Sequence, residues 1–228
     1  MSGPQCCENP PALSSNSGNG SVLQLGSFNT YVSGPSNSKH AILFVSDVYG
    51  YEAPNLRKLA DKVAAAGYYV VVPDFLYADP YTTEKPLSIW IESHGTDKGF
   101  EDAKQVVATL KDKGISAIGA AGFCWGEVKA PIAILAAEID KISPPELIKQ
   151  FEEILSSKPE VDKFVKIFPS VKHGWTVRYN VEDREAVQHA EEAHRDMLDW
   201  FIKHVGKMGT GPRSGRNTRP VSLYIGMV

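Results

Sequence analysis

Cysteine is scarce: three in 228 residues, at positions 6, 7 and 124. So sparse and odd a set makes no disulfide framework, and the thiols read as reduced ones in a cytoplasmic compartment. No apolar run approaches the roughly 18 residues of a membrane span. Residues 1–20 have neither a basic opening nor an apolar stretch, so they do not read as a secretory signal. Positive charge is not in excess either. The formal net charge is −3, which argues against a general nucleic-acid binder. What remains is a globular composition, 43% hydrophobic and 22% charged, in a chain long enough for one domain with a sizeable core.

Three regions differ in composition. Residues 1–19 form a Pro/Ser/Asn/Gly-rich leader, expected to be disordered, in which Cys6 and Cys7 read as exposed thiols without a role. Residues 20–205 carry the periodic apolar pattern of a folded domain. Residues 206–228 form a Gly/Pro/Arg-rich tail with Lys207, Arg213, Arg216 and Arg219 and no acid. It is expected to be a disordered basic segment.

Within the domain, short β-rich runs alternate with helical patterns. Residues 22–25 and 28–32 read as an antiparallel pair around Gly26. The apolar run 40–46 reads as a strand buried on both faces. Residues 54–66 read as a helix presenting Leu56, Leu59, Ala60 and Val63. A strand over 68–72 stops at Pro73, and a long aromatic loop follows over 75–86. Short and long helices are expected over 87–94 and 96–113, the second with a stripe of Phe100, Ala103, Val106, Val107 and Leu110. Further strands follow over 115–121, 132–136 and 163–168. A helix over about 143–155 is expected to bury Leu147, Ile148, Phe151 and Ile154, and another spans about 181–205. Alternating strands and helices predict an α/β fold: a mostly parallel sheet covered on both faces.

The chain turns hardest at Gly122-Phe123-Cys124-Trp125-Gly126. A G-x-C-x-G pattern at the end of an apolar strand reads as a nucleophile elbow with Cys in place of Ser. In an open α/β sheet, ligands bind beyond the carboxyl ends of the strands. Asp140 and His173 also follow predicted strands, giving the order nucleophile, acid, histidine. A thiol is a weak nucleophile until an imidazole takes its proton, and a carboxylate fixes that imidazole's tautomer. Glu138 is a rival acid, turned the other way by strand alternation; Asp140 could equally cap the next helix. The tetrahedral oxyanion needs donors: the backbone N–H of Trp125, and a second from Val48 or Tyr49.

Several stretches resemble the dienelactone hydrolase family, and its plant members closely: S-D-V-Y-G-Y-E-A-P-N-L-R-K-L-A-D (46–61), V-V-V-P-D-F (70–75), A-A-G-F-C-W-G (120–126), A-E-I-D-K-I-S-P-P-E (137–146) and H-G-W-T-V-R-Y (173–179). The resemblance implies an α/β-hydrolase-type fold. It implies a Cys-Asp-His triad at Cys124, Asp140 and His173, acting on small esters or lactones through an acyl-thioester with no cofactor and no metal. It also places an acidic residue at Asp47, where the family usually has a Glu, near the resting cysteine. Some plant members carry a β-glucanase name, an association only. No nucleic-acid or membrane partner is implied.

One segment is missing from this pattern. Cys124 and Asp140 are only 16 residues apart, whereas a crossover between parallel strands takes a dozen residues or more, usually with a helix. The sheet is therefore expected to be one central strand short, with the elbow helix lost, in a variant isoform that folds marginally and works poorly. The rival readings are a non-catalytic hydrolase-like binding or regulatory protein and a redox-sensing thiol.

Overall fold

The computed structural model describes residues 10–94, 96–123, 131–157, 159, 161–206 and 222–227, with the backbone alone for 96, 97 and 222–227. Strands β1 (Ser21–Leu25) and β2 (Phe28–Ser33) make the expected antiparallel pair around Gly26. Then come β3 (His40–Val45), helix α1 (Pro54–Ala65) and β4 (Tyr69–Pro73). Helices α2 (Leu87–Ser93) and α3 (Thr96–Asp112) lead into β5 (Ala117–Phe123). Beyond it lie β6 (Ile132–Ile139), α4 (Pro145–Ser156), β7 (Lys163–Lys172), α5 (Arg184–His204) and β8 (Ser222–Met227). All eight strands join one sheet in the order β1-β2-β4-β3-β5-β8-β6-β7. Among the described residues only the β1–β2 and β2–β4 ladders are antiparallel.

Side chains alternate across a strand, so each strand feeds two cores. On one face Ile42, Phe44, Val70, Val72, Ala121, Phe123, Ala133 and Leu135 pack against Leu56, Leu59 and Val63 of α1 and Met197 and Phe201 of α5. On the other, Ala41, Leu43, Val71 and Ile118 meet Val106 and Leu110 of α3, and Ile132, Ile134 and Ala136 meet Ile148 of α4. With both faces covered, the inner strands must be apolar throughout, as β3 and β4 are. Gly119 allows the close approach of α5: a Cβ there would lie 2.9 Å from Ile42 Cδ1 and 3.0 Å from Val205 Cγ2.

The structure departs from the sequence reading in four places. The position left a strand short is filled by β8, which pairs in parallel with β5 on one side and β6 on the other. The tail expected to be disordered over 206–228 therefore contributes a strand at 222–227. The leader expected to be disordered over 1–19 is anchored in its described part. Arg57, itself buried, donates from Nη1 to the carbonyls of Ser15 (2.8 Å) and Ser17 (3.3 Å), and Asp61 accepts from Asn19 N (2.7 Å). On α4 only Ile148 of the four predicted core residues is buried; Leu147, Phe151 and Ile154 are exposed. On α3, Phe100 is exposed and stacks under Lys104 instead of joining the stripe.

Helix α5 is locked to the segment after β7 by His194. Its Nε2 donates to Thr176 O (2.8 Å), while Nδ1 lies 3.4 Å from Lys62 Nζ. Burial pushes the imidazole down from 6.5 to about 4; the Thr176 bond opposes this and Lys62 adds to it. Between those two values the unfolded chain binds a proton that the folded chain refuses. Stability is thus expected to fall as pH drops from 6.5 through 4, by about 3 kcal/mol from this group alone. Urea unfolding across that range should show a steeper loss for wild type than for His194→Gln. Equal slopes would remove His194 as the source.

Candidate active site

Among the described residues, the candidates Asp47, Asp140 and His173 stand just beyond the ends of β3, β6 and β7. Val45 pairs with Gly122, so the loop opening at Ser46 leaves β3 beside the point where the chain leaves β5. Cys124 and Trp125 follow at once but lie outside the described residues, so Phe123 is the last observed residue before the proposed nucleophile.

Asp140 and His173 do meet. Asp140 Oδ2 lies 2.8 Å from His173 Nδ1, with both side chains almost completely buried. The carboxylate serves two purposes, because Oδ1 accepts from the backbone of Ile142 (2.7 Å) and Ser143 (3.0 Å). The turn into α4 and the imidazole are thus held by the two oxygens of one group. Burial by itself would raise the Asp140 carboxyl. The His173 hydrogen bond and the N–H groups of Ser143 and Ile142 outweigh it and hold the carboxyl below its usual value.

Glu138, the rival acid, points elsewhere. Its Oε2 accepts from Ser170 N (2.8 Å). Ser170 is in the left-handed region (φ 59°), where the ladder between β6 and β7 shifts register between Ala137 and Ile139. A non-glycine residue there is strained, and the Glu138 carboxylate holds it in place three residues before His173.

Asp47, Val48 and Tyr49 are all buried. Asp47 Oδ1 accepts from Tyr49 N (3.0 Å), folding the loop back on itself, and Asp47 Oδ2 lies 3.3 Å from Arg178 Nε. Arg178 also donates from Nη2 to His173 O (3.3 Å), and its guanidinium lies over the Tyr49 ring at 5.8 Å. One buried cation therefore ties the β3 loop to the β7 loop. The sequence reading named the motif holding Arg178 but gave the residue no role. The structure shows why Gly174 (φ 79°) precedes it: a Cβ there would come within 1.9 Å of Arg178 Nη2. Around Tyr49 stands an aromatic wall, Tyr49 against Tyr81 and Tyr81 against Trp90, with Tyr81 N donating to Val48 O (2.8 Å). Among the described residues no group of three or more His, Cys, Asp or Glu could hold a metal ion, and no helix is long and apolar enough to cross a membrane.

The sequence itself is matched by a family model over residues 28–128 and 127–205. The chain belongs to the dienelactone hydrolase family. It is 38% identical to a maize endo-1,3;1,4-β-D-glucanase over 193 residues, covering 69% of this chain and 63% of that protein. It is 29% identical to a carboxymethylenebutenolidase homolog of Xenopus tropicalis over 224 residues, covering 82% and 91%. A Klebsiella pneumoniae structure assigned as a dienelactone hydrolase superposes with a TM-score of 0.62 at 17% identity, covering 77% and 93%. That likeness bears on the fold.

The family match arrives in two pieces that meet at residues 127–128, within the short connection where a segment is expected to be missing. The maize comparison also contains positions with no counterpart in this chain. Its 193 aligned positions take in only 69% of 228 residues, roughly 157, which leaves about 36 positions opposite nothing in this chain.

The Asp47–Arg178 pair should be a large contributor to stability if broken from one side only. Arg178→Met leaves a carboxylate buried without its guanidinium and is expected to cost about 3–5 kcal/mol in chemical denaturation. Adding Asp47→Asn should recover part of that loss. A neutral Arg178→Met would show that Asp47 does not depend on this partner.

Proposed function

We propose that this chain hydrolyses small carboxylic esters or lactones, with Cys124 as nucleophile, His173 as general base and acid, and Asp140 as the group that orients the imidazole. The observation that carries this reading is the 2.8 Å contact between Asp140 Oδ2 and His173 Nδ1. With Nδ1 committed to Asp140, Nε2 is the nitrogen that would take the thiol proton. The resulting thiolate adds to the acyl carbon. The tetrahedral intermediate collapses, His173 returns the proton to the departing alcohol oxygen, and a thioester remains. Water, deprotonated by the same imidazole, then releases the acid and restores the thiol.

Two backbone donors are proposed for the oxyanion. Trp125 N–H is one. For the second, Val48 is favoured over Tyr49, whose N–H is already engaged by Asp47 Oδ1. The buried Tyr49, Tyr81 and Trp90 favour an acyl or lactone group with apolar surface.

The maize relative's name belongs to glycosidic chemistry, which needs a carboxylic acid still protonated near neutral pH beside a second carboxylate. Neither buried carboxylate at this site suits it: Asp140 is held below its ordinary value, and Asp47 is paired with Arg178. A non-catalytic binding role is separated from the enzymatic one by the thiol.

Purified protein should release p-nitrophenol from p-nitrophenyl acetate with an initial burst. The burst should vanish in Cys124→Ala, and turnover should fall by about 10²-fold or more in His173→Asn. An acyl-directed thiol probe should label Cys124 ahead of Cys6 and Cys7. Turnover surviving intact in Cys124→Ala would overturn the cysteine mechanism.

A further inference from the structure

Strands β5 and β6 share no ladder. On one side β5 pairs with β3 and β6 with β7; on the other, each pairs with β8 alone. The backbone hydrogen bonding of the sheet is thus continuous only through β8, which joins the half β1-β2-β4-β3-β5 to the pair β6-β7. The residues facing the junction are interior ones: Ala121, Ala133, Leu135, Ala136 and Ala137 have no exposed surface. Strands of that character cannot end a sheet without leaving unpaired N–H and C=O groups beside apolar side chains.

The proposed chemistry is divided along the same line. Cys124 follows β5, whereas Asp140 and His173 follow β6 and β7. The register shows how β8 relates them. Met227 lies opposite both Phe123 and Leu135, and Tyr224 opposite both Ala120 and Ile132. The last observed residue before the nucleophile is thereby level with Leu135, five residues before Asp140. A slip of one residue on either side of β8 would displace the two ends by about 3.3 Å and exchange the faces of every side chain.

We propose that β8, the strand at Ser222–Met227, is the positioning element of the active site: it closes the gap between β5 and β6 and sets the level of the β5 end, from which the proposed nucleophile follows in sequence, against β6, which carries Asp140. The catalytic consequence rests on the function proposed above; the structural role does not. Side-chain links also cross the junction, namely Arg178 with Asp47 and the packing of α5 on both halves. A single proline within β8, which deletes one ladder donor and leaves these links in place, is therefore expected to loosen the junction while the two halves remain folded.

The test uses the full-length chain and amide hydrogen exchange. In wild type, amides of 223–227, 118–123 and 132–135 should all be protected. Tyr224→Pro and Gly226→Pro each delete a ladder donor and bend the strand. Protection across β5 and β6 should then fall together by about tenfold or more, while the β2–β4 ladder keeps its protection. The pH profile of Cys124 alkylation should lose its dependence on His173 in both proline variants.

Unprotected amides at 223–227 in wild type would overturn the proposal, and this reading needs no variant to fold. So would undiminished protection of β5 and β6 in both proline variants. If exchange behaves as expected but the protein cleaves no ester, the role of β8 stands and the proposed function falls.

Discussion

A strand inside a parallel sheet needs a backbone partner on both edges and apolar cover on both faces, and this molecule is governed by how that demand is met between β5 and β6. Both strands are built as interior ones, and the direct connection from one to the other is too short for a helical crossover. Each unpaired buried peptide group would cost about 1–3 kcal/mol, comparable to a whole domain's net stability when several are summed. The insertion of β8 removes that penalty. It does so from the far end of the chain, so the topology differs from a simple strand-by-strand progression while the sheet stays complete.

The candidate site inherits its geometry from the same sheet. Its groups stand beyond strand ends, where the chain must turn and its backbone N–H groups look for acceptors. Buried carboxylates supply them. Asp140 closes the turn into α4 with one oxygen and holds His173 with the other; Asp47 folds the loop after β3 with one oxygen and meets Arg178 with the other. Because each carboxylate is bound from two directions, its position is determined by backbone as well as by its charged partner. Polar groups fixed in this way are preorganised, which is what electrostatic stabilisation of a developing oxyanion requires of the proposed mechanism.

Much of this was legible from residue order. The parallel strands announce themselves as uninterrupted apolar runs, the helices by stripes such as Leu56, Leu59 and Val63, and the Asp140–His173 meeting by position after predicted strands. Other features were not legible for physical reasons. The apolar face of α4 follows helical periodicity, yet periodicity says only that such a face exists. Which part is covered depends on how far the sheet extends beneath it, and here the sheet reaches Ile148 and leaves Leu147, Phe151 and Ile154 exposed. Arg178 was hidden because a buried cation is recognised through its partner, and Asp47 lies 131 positions away. The leader looked disordered by composition, but Arg57 and Asp61 hold backbone groups, and backbone has no composition.

The tail teaches a sharper lesson about competing levels of description. Its glycines, prolines and arginines dominate the composition and average out the short run Ser222–Met227, whose Leu-Tyr-Ile core has the β-branched and aromatic character of a strand. Six residues of that kind are too few to form structure alone, since an isolated strand gains neither ladder nor cover. They become a strand only where a slot with two unpaired edges already exists. The short connection between β5 and β6 and the β-rich run at the tail are thus two halves of one observation. Neither predicts β8 by itself; an interior gap that must be filled, together with the one remaining segment able to fill it, does.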